Sequence, residues 1–176
     1  MDFTEVTLER EDIFSGRVFD IHKDRVRLPD GKEAFREVVE HTGGVCIAAV
    51  DEYRRIYLVE QFRYPLKETT LEVVAGKLER DEDPLDAAAR ELKEEAGFTA
   101  MSLTEIGVFY PSPGFCSEKL HFYLATNLIP GKQNLDEGEF LNCVRMPLEE
   151  AVEKVMQNSI VDGKTKALIL MVDRLI

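Results

Sequence analysis

The sequence predicts an α/β protein: a three-layer α/β/α sandwich around a mixed sheet, with a small antiparallel β unit ahead of it. Three observations carry that prediction. Apolar runs of strand length recur between residues 45 and 146, two segments of helical periodicity close the chain, and a further helix in the middle is framed by its own start and stop residues. Strands alternating with helices is the pattern that packs helices against a sheet. Of the 176 residues 44% are hydrophobic and 32% charged, which suffices for a sizeable core under a polar surface.

The elements follow in order. Residues 1–42 hold two alternating stretches, at 13–21 and 24–28, then a turn at Pro29-Asp30-Gly31 and a strand at 33–41. Such a unit has exposed edges and little core of its own, so it forms a first domain that needs another surface to cover it. Gly43-Gly44 marks a break, and a second domain is expected over 43–176. There, residues 45–50 read as an apolar strand, Glu52 to Arg55 as a polar turn and 56–62 as the returning strand, with Arg63 at its end before Pro65. A short strand at 71–75 leads to a helix at 84–96. Asp83 suits its N-cap, Pro84 its first position, Asp86 its first turn and Gly97 its stop. Leu85, Ala88, Ala89 and Leu92 are expected to form its apolar stripe. Strands at 103–109, 120–128 and 140–146 come next, interrupted by a proline-containing loop at 110–117 and an acidic loop at 129–139. Helices at 147–158 and 164–176 end the chain.

Charge narrows the partners. The net charge is 22 − 34 = −12, which argues against DNA, RNA or an anionic membrane. The longest apolar runs, 45–50 and 167–172, are too short to cross a bilayer, and the opening MDFTEVTLERED has no apolar export segment. Cys46, Cys116 and Cys143 are odd in number and lack metal-ligand spacing, so they read as reduced thiols of a cytoplasmic protein.

The chemistry concentrates in residues 76–98. On the helix, Glu91, Glu94 and Glu95 project from one side, with Arg90 within reach of Glu94. Like charges this close repel, and hard divalent cations that want carboxylate oxygens would remove the repulsion. Clustered carboxylates with such ions can clamp a pyrophosphate and acidify a bound water. Water attack on phosphorus also needs a base. His22, His41 and His121 are scattered, so the base is sought among carboxylates.

The stretch reads Gly76, five residues, Glu82, seven residues, then Arg90-Glu91-Leu92-Lys93-Glu94-Glu95-Ala96-Gly97-Phe98. An accidental match to such a pattern at a given register is below about 10⁻⁷. It resembles the Nudix box at every position, and the resemblance implies the family's sandwich fold for about residues 43–176. It further implies metal ligation by Glu91, Glu95 and the Ala75 carbonyl, with Glu94 as an extra ligand and Glu82 and Arg90 in support. Mg²⁺ is the implied cofactor, with Mn²⁺ as a substitute.

Outside the box the chain resembles the ADP-ribose pyrophosphatase branch of that family. Pro113 stands fifteen residues beyond Phe98 in the loop Tyr110-Pro111-Ser112-Pro113-Gly114-Phe115-Cys116-Ser117-Glu118, whose SPG…SE pattern resembles that branch's. Asp136-Glu137-Gly138-Glu139 resembles its catalytic loop, implying Glu137 as the base for the attacking water and Glu139 as a residue that reaches a metal. Arg63 matches an arginine on substrate phosphate. Arg36 and Glu37 resemble a pair that approaches adenine, in some members across a dimer interface. The implied reaction is hydrolysis of ADP-ribose to AMP and ribose 5-phosphate by a homodimer. Broader action on nucleoside diphosphate sugars, or a sensor that binds ADP-ribose without cleaving it, are the alternatives.

Overall fold

The computed structural model describes residues 2–176, and Met1 lies outside it. It divides into two compact units, residues up to Gly43 with Tyr110–Lys119, and Gly44–Phe109 with Leu120–Ile176.

The first unit is an antiparallel sheet in the order β1 (Val6–Ser15), β2 (Phe19–Arg27), β3 (Glu33–His41). The first strand starts well before the expected 13–21, and that stretch is split by a turn closed by the Gly16 amide on the Phe19 carbonyl. β1 is exposed along almost its whole length, so no buried face imposes the alternation by which a strand is read from sequence. Charge pairs stand in for core: Arg25 bridges Glu9 and Glu33, and buried His22 bonds Asp24 at 2.8 Å. Tyr110–Lys119 joins β3 through the Val39 amide on the Phe115 carbonyl and the Ser117 amide on the Val39 carbonyl.

The second unit runs β4 (Gly44–Val50), β5 (Arg55–Arg63), β6 (Glu68–Lys77), α1 (Pro84–Ala96), β7 (Phe98–Phe109), β8 (Leu120–Pro130), β9 (Leu141–Pro147), α2 (Leu148–Met156) and α3 (Gly163–Leu175). Its sheet has the order β7-β8-β4-β6-β5-β9, with β4 and β8 parallel and the other pairs antiparallel. Every residue of β4 is buried, as a central strand covered on both faces must be. Cys46, Ala48 and Val50 point into a core completed by Leu148, Leu168 and Ile169 from α2 and α3. Val45, Ile47 and Ala49 point into a second core with Ala87, Ala88 and Leu92 of α1. Helices on both faces of a mixed sheet make the α/β/α sandwich that the sequence predicts. β6 and β7 start three and five residues earlier than expected, because polar residues such as Glu68, Thr69 and Thr99 hide their first turns of pairing. No helix among the described residues is long and apolar enough to cross a membrane.

Candidate active site

α1 sits where its caps put it. The Asp83 carboxylate accepts from the Leu85 amide at 2.8 Å, Pro84 opens the helix, and Gly97 ends it at φ +72, a left-handed conformation that glycine takes without strain. Its buried face differs from the expected stripe. Leu85 and Ala89 are exposed, whereas Ala87, Ala88, Leu92, Ala96 and Glu95 are buried. At about 100° per residue the buried arc is turned by roughly 45° from the centre of the apolar stripe, toward the glutamates. The reason is chemical, since a carboxylate occupies part of the face packed on the sheet.

Two backbone features of β6 receive these carboxylates. Glu95 Oε2 accepts from the Ala75 amide at 3.1 Å. Glu91 lies so close to Gly76 that a Cβ there would stand 1.8 Å from Glu91 Oε1, so only glycine admits the side chain. Arg90 fixes the outer edge of the cluster. Its guanidinium reaches both oxygens of Glu82 at 2.9 and 3.0 Å, Glu91 at 2.8 Å and Glu94 at 3.0 Å. Pairing with Arg90 holds Glu82 below the usual carboxylate range. Glu91 and Glu95 go the other way. Burial pushes both up; the charges of Glu94 and Glu139 add to it at Glu91, and those of Glu91 and Glu139 at Glu95, bringing Glu95 to about 8 against the opposing Ala75 bond.

The acidic loop is stitched to the end of α1. The Gly131 amide donates to the Gly97 carbonyl at 2.7 Å, Gln133 Nε2 to the Glu95 carbonyl at 2.6 Å, and the Asn134 amide to the Glu94 carbonyl at 3.0 Å. These bonds bring Glu139 within electrostatic reach of Glu91 and Glu95. Glu137 is exposed at the tip, in a turn closed by the Glu139 amide on the Asp136 carbonyl. Beside the loop opens a cleft of about 390 Å³ lined by Gln61, Phe62, Thr69, Glu139, Phe140 and Asn142 among others.

Arg63, at the end of β5, forms a bidentate pair with Glu72, both bonds at 2.6 Å. Glu72 was not singled out by the sequence reading, although a lone carboxylate inside the apolar run Leu71–Ala75 was a visible signal. Lys164, which also bonds Glu72, and the stitching pair Gln133 and Asn134 were missed as well, and for those no sequence signal stands out.

The remaining expected residues belong to the first unit. Arg36 pairs with Glu5 through Nε at 2.9 Å and Nη2 at 2.5 Å. Glu37 is exposed on β3 opposite Lys23. Pro113 lies in the segment bound to β3, and Glu118 Oε1 stands 4.0 Å from His41 Nδ1.

The donor set suits a hard cation. The charge of Glu139 raises the proton affinity of both Glu91 and Glu95, and a divalent ion among these carboxylate oxygens relieves that repulsion. As the side chains stand, no three His, Cys, Asp or Glu among the described residues close around one point, because Glu91 is turned to Arg90 and Glu95 to the Ala75 amide.

Comparison with known proteins gives the following. A family model described as the NUDIX domain matches residues 40–167, and one described as the nucleoside diphosphate sugar hydrolase N-terminal domain matches residues 5–39. The chain is 45% identical over 163 residues to the ADP-ribose pyrophosphatase of Bacillus subtilis (strain 168), across 92% of this chain and 88% of that one. It is 42% identical over 166 residues to the methanol dehydrogenase activator of Bacillus methanolicus, across 93% and 89%. The crystal structure of an ADP compounds hydrolase superposes with a TM-score of 0.87 over 99% of this chain and 96% of that one, at 23% identity, a likeness of fold.

Proposed function

The chain belongs to the Nudix family, and from that membership we propose that it hydrolyses the pyrophosphate of ADP-ribose to AMP and ribose 5-phosphate. The name of the Bacillus subtilis relative supports the substrate. The observation that carries the chemistry is the convergence of Glu91, packed on Gly76, with Glu95 and Glu139, two of them with raised proton affinity.

Glu91, Glu95 and the Ala75 carbonyl, with Glu94 and Glu139 in reserve, are the groups that would hold Mg²⁺ or Mn²⁺. The chemistry such an ion would supply there is neutralisation of diphosphate charge and acidification of a bound water. The chain's own residues do the rest. Arg90 orients Glu91 and Glu94 through charge-assisted bonds. Glu137, free in its turn, takes the proton from the attacking water. Arg63 contacts phosphate through the edge of its guanidinium that faces away from Glu72. Adenine recognition is assigned to Arg36 and Glu37, with Pro113 and Glu118 supporting the substrate, on sequence likeness to the family. A homodimer and a cytoplasmic location complete the proposal.

The test is incubation with ADP-ribose, GDP-mannose and other nucleoside diphosphate sugars in Mg²⁺, with products separated by chromatography. AMP and ribose 5-phosphate as the fastest-formed products support the assignment. A preference of about tenfold or more for another sugar nucleotide replaces it with the broader one, and calorimetric binding without turnover makes the chain a sensor. Glu137→Gln should lower kcat by a factor on the order of 10² to 10⁴ while the protein stays folded. Sedimentation at micromolar concentration checks the dimer.

A further inference from the structure

We propose that Glu72 is a positioning residue for Arg63, acting from the centre of a buried charge network anchored on the first turn of α3. The inference rests on the reading that Arg63 contacts a substrate phosphate.

Glu72 lies in the interior of β6, opposite Val59 and 1% exposed. An ionised carboxylate so buried is unfavourable unless its oxygens are satisfied. Here four donors satisfy them: Arg63 Nε on Oε1 and Arg63 Nη2 on Oε2, Thr70 Oγ1 on Oε1 at 2.6 Å, and Lys164 Nζ on Oε2. Lys164 also pairs with Asp162 at 3.0 Å, and that carboxylate caps α3 through the Thr165 amide at 2.9 Å. Thr165 Oγ1 in turn accepts from the Val73 amide at 3.0 Å. The start of α3 is thereby tied to the residues on either side of this carboxylate's bonds.

Packing alone does not call for a carboxylate at this position. An apolar side chain between Leu71 and Val73 would fill a core strand, and replacing a buried ion cluster by apolar groups is often neutral or stabilising. What the network does provide is a fixed guanidinium. Two of the five donors of Arg63 face Glu72, and the Nη1 edge of the fork is left for a ligand. A long side chain ordered beforehand loses less entropy on binding than one that must be ordered by the ligand. The fixed group also lies near the reacting centre, because Arg63 and Glu95 sense one another's charge.

A competing effect has the opposite sign. Glu72 also neutralises Arg63, and if masking outweighed positioning, removing the carboxylate would tighten phosphate binding. The two are separated by steady-state hydrolysis of ADP-ribose at saturating Mg²⁺ by Glu72→Gln, Arg63→Ala and the double variant, each checked for folding by circular dichroism. Positioning predicts that Glu72→Gln lowers kcat/KM about tenfold or more, chiefly through a higher KM. In the Arg63→Ala background the same change should then alter kcat/KM by less than about twofold. A fall in KM, or the same loss in both backgrounds, overturns the proposal.

If Glu72→Gln does not fold, Thr70→Val carries the test, since it removes one bond to Glu72 and leaves every charge paired. It should raise KM about two- to fivefold, and this effect too should vanish without Arg63. Val155→Ala, in the core under α2, is the structural control: it should lower Tm and leave KM unchanged, and an equal rise in KM there would reduce Glu72 to general support. Absence of ADP-ribose turnover by the wild type defeats the substrate assignment alone. The same cycle is then run on whichever sugar nucleotide the panel identifies.

Discussion

Burial acts on Glu95 and Glu72 alike, yet their neighbours send them in opposite directions. Burial raises Glu95 to about 8, with Glu91 and Glu139 adding to the push. Burial also raises Glu72, but bonds from Arg63, Lys164 and Thr70 overcome it and bring the group to about 2. The ordinary value for both is 4.5, so their effects on stability occupy separate windows. Glu72 is depressed in the fold and contributes stability above pH 4.5 that is lost as pH falls toward 2. Glu95 is raised in the fold, so its contribution is complete below pH 4.5 and is lost as pH rises toward 8. Metal-free protein should therefore lose stability from Glu95 between those values, by up to about 1.4 kcal/mol per pH unit. Denaturant unfolding in chelator at pH 5 and pH 8 checks this. Glu95→Gln should match the wild type at pH 5 and exceed it at pH 8, and equal stability at both ends would refute the assignment. Affinity for a divalent cation should follow the reverse course, strengthening toward pH 8 as Glu95 loses the proton that competes with it. Gly76 makes a sharper residue-scale case. A Cβ there must displace the Glu91 carboxylate, so Gly76→Ala should lower kcat/KM by about ten- to hundredfold with a folded protein. Wild-type turnover in that variant would mean that Glu91 does not act from where it stands.

The two ends of α1 should respond differently to mutation, because they are tied to different things. At the start, Asp83 caps the Leu85 amide and touches no group of the site, so Asp83→Ala should cost about 1 kcal/mol and roughly 2–4 °C in Tm. Its kcat/KM should stay within about twofold, as measured on the same preparation. At the end, Gly97 holds φ +72, and an added Cβ would stand 2.9 Å from the Gln133 amide nitrogen. Gly97→Ala should lower Tm and kcat/KM together, since the strain is released by moving the loop that carries Glu137 and Glu139. A variant that loses stability alone would show that the loop is held independently of α1. The limits of this helix were legible in the sequence because Asp83, Pro84 and Gly97 act locally. Its buried face was not, because Glu95 is buried by contacts with the Ala75 amide, which no periodicity of apolar residues records. The stitching of Gln133 and Asn134 was illegible for a related reason. Their bonds go to backbone carbonyls of α1 that are distant in sequence, from the side-chain amide of Gln133 and the backbone amide of Asn134, and neither donor differs on paper from its like in any other loop.

At the scale of the whole molecule, the sandwich could be read from β4, whose uninterrupted apolar run demands cover on both faces. The grouping of Tyr110–Lys119 with the first unit could not, because it depends on backbone bonds to Val39 that carry no side-chain signature. Net charge, by contrast, belongs to the sequence entirely, and it has a kinetic consequence. A chain of net charge −12 repels a diphosphate, and local cations are few, with Arg63 and Arg90 already paired to glutamates. Salt acts on this in two opposite ways. Screening weakens attraction of a divalent cation to the carboxylates, and it also weakens repulsion of the substrate. At saturating Mg²⁺ the first effect drops out and the second remains. Raising inert salt from about 10 to 200 mM, where the Debye length falls from about 30 Å to below 8 Å, should then raise kcat/KM for ADP-ribose severalfold with little change in kcat. At limiting Mg²⁺ the same salt series should lower the rate. A fall at saturating metal would mean that a local positive field outweighs the charge of the whole chain at the site, and would locate the attraction in arginines not neutralised when substrate binds.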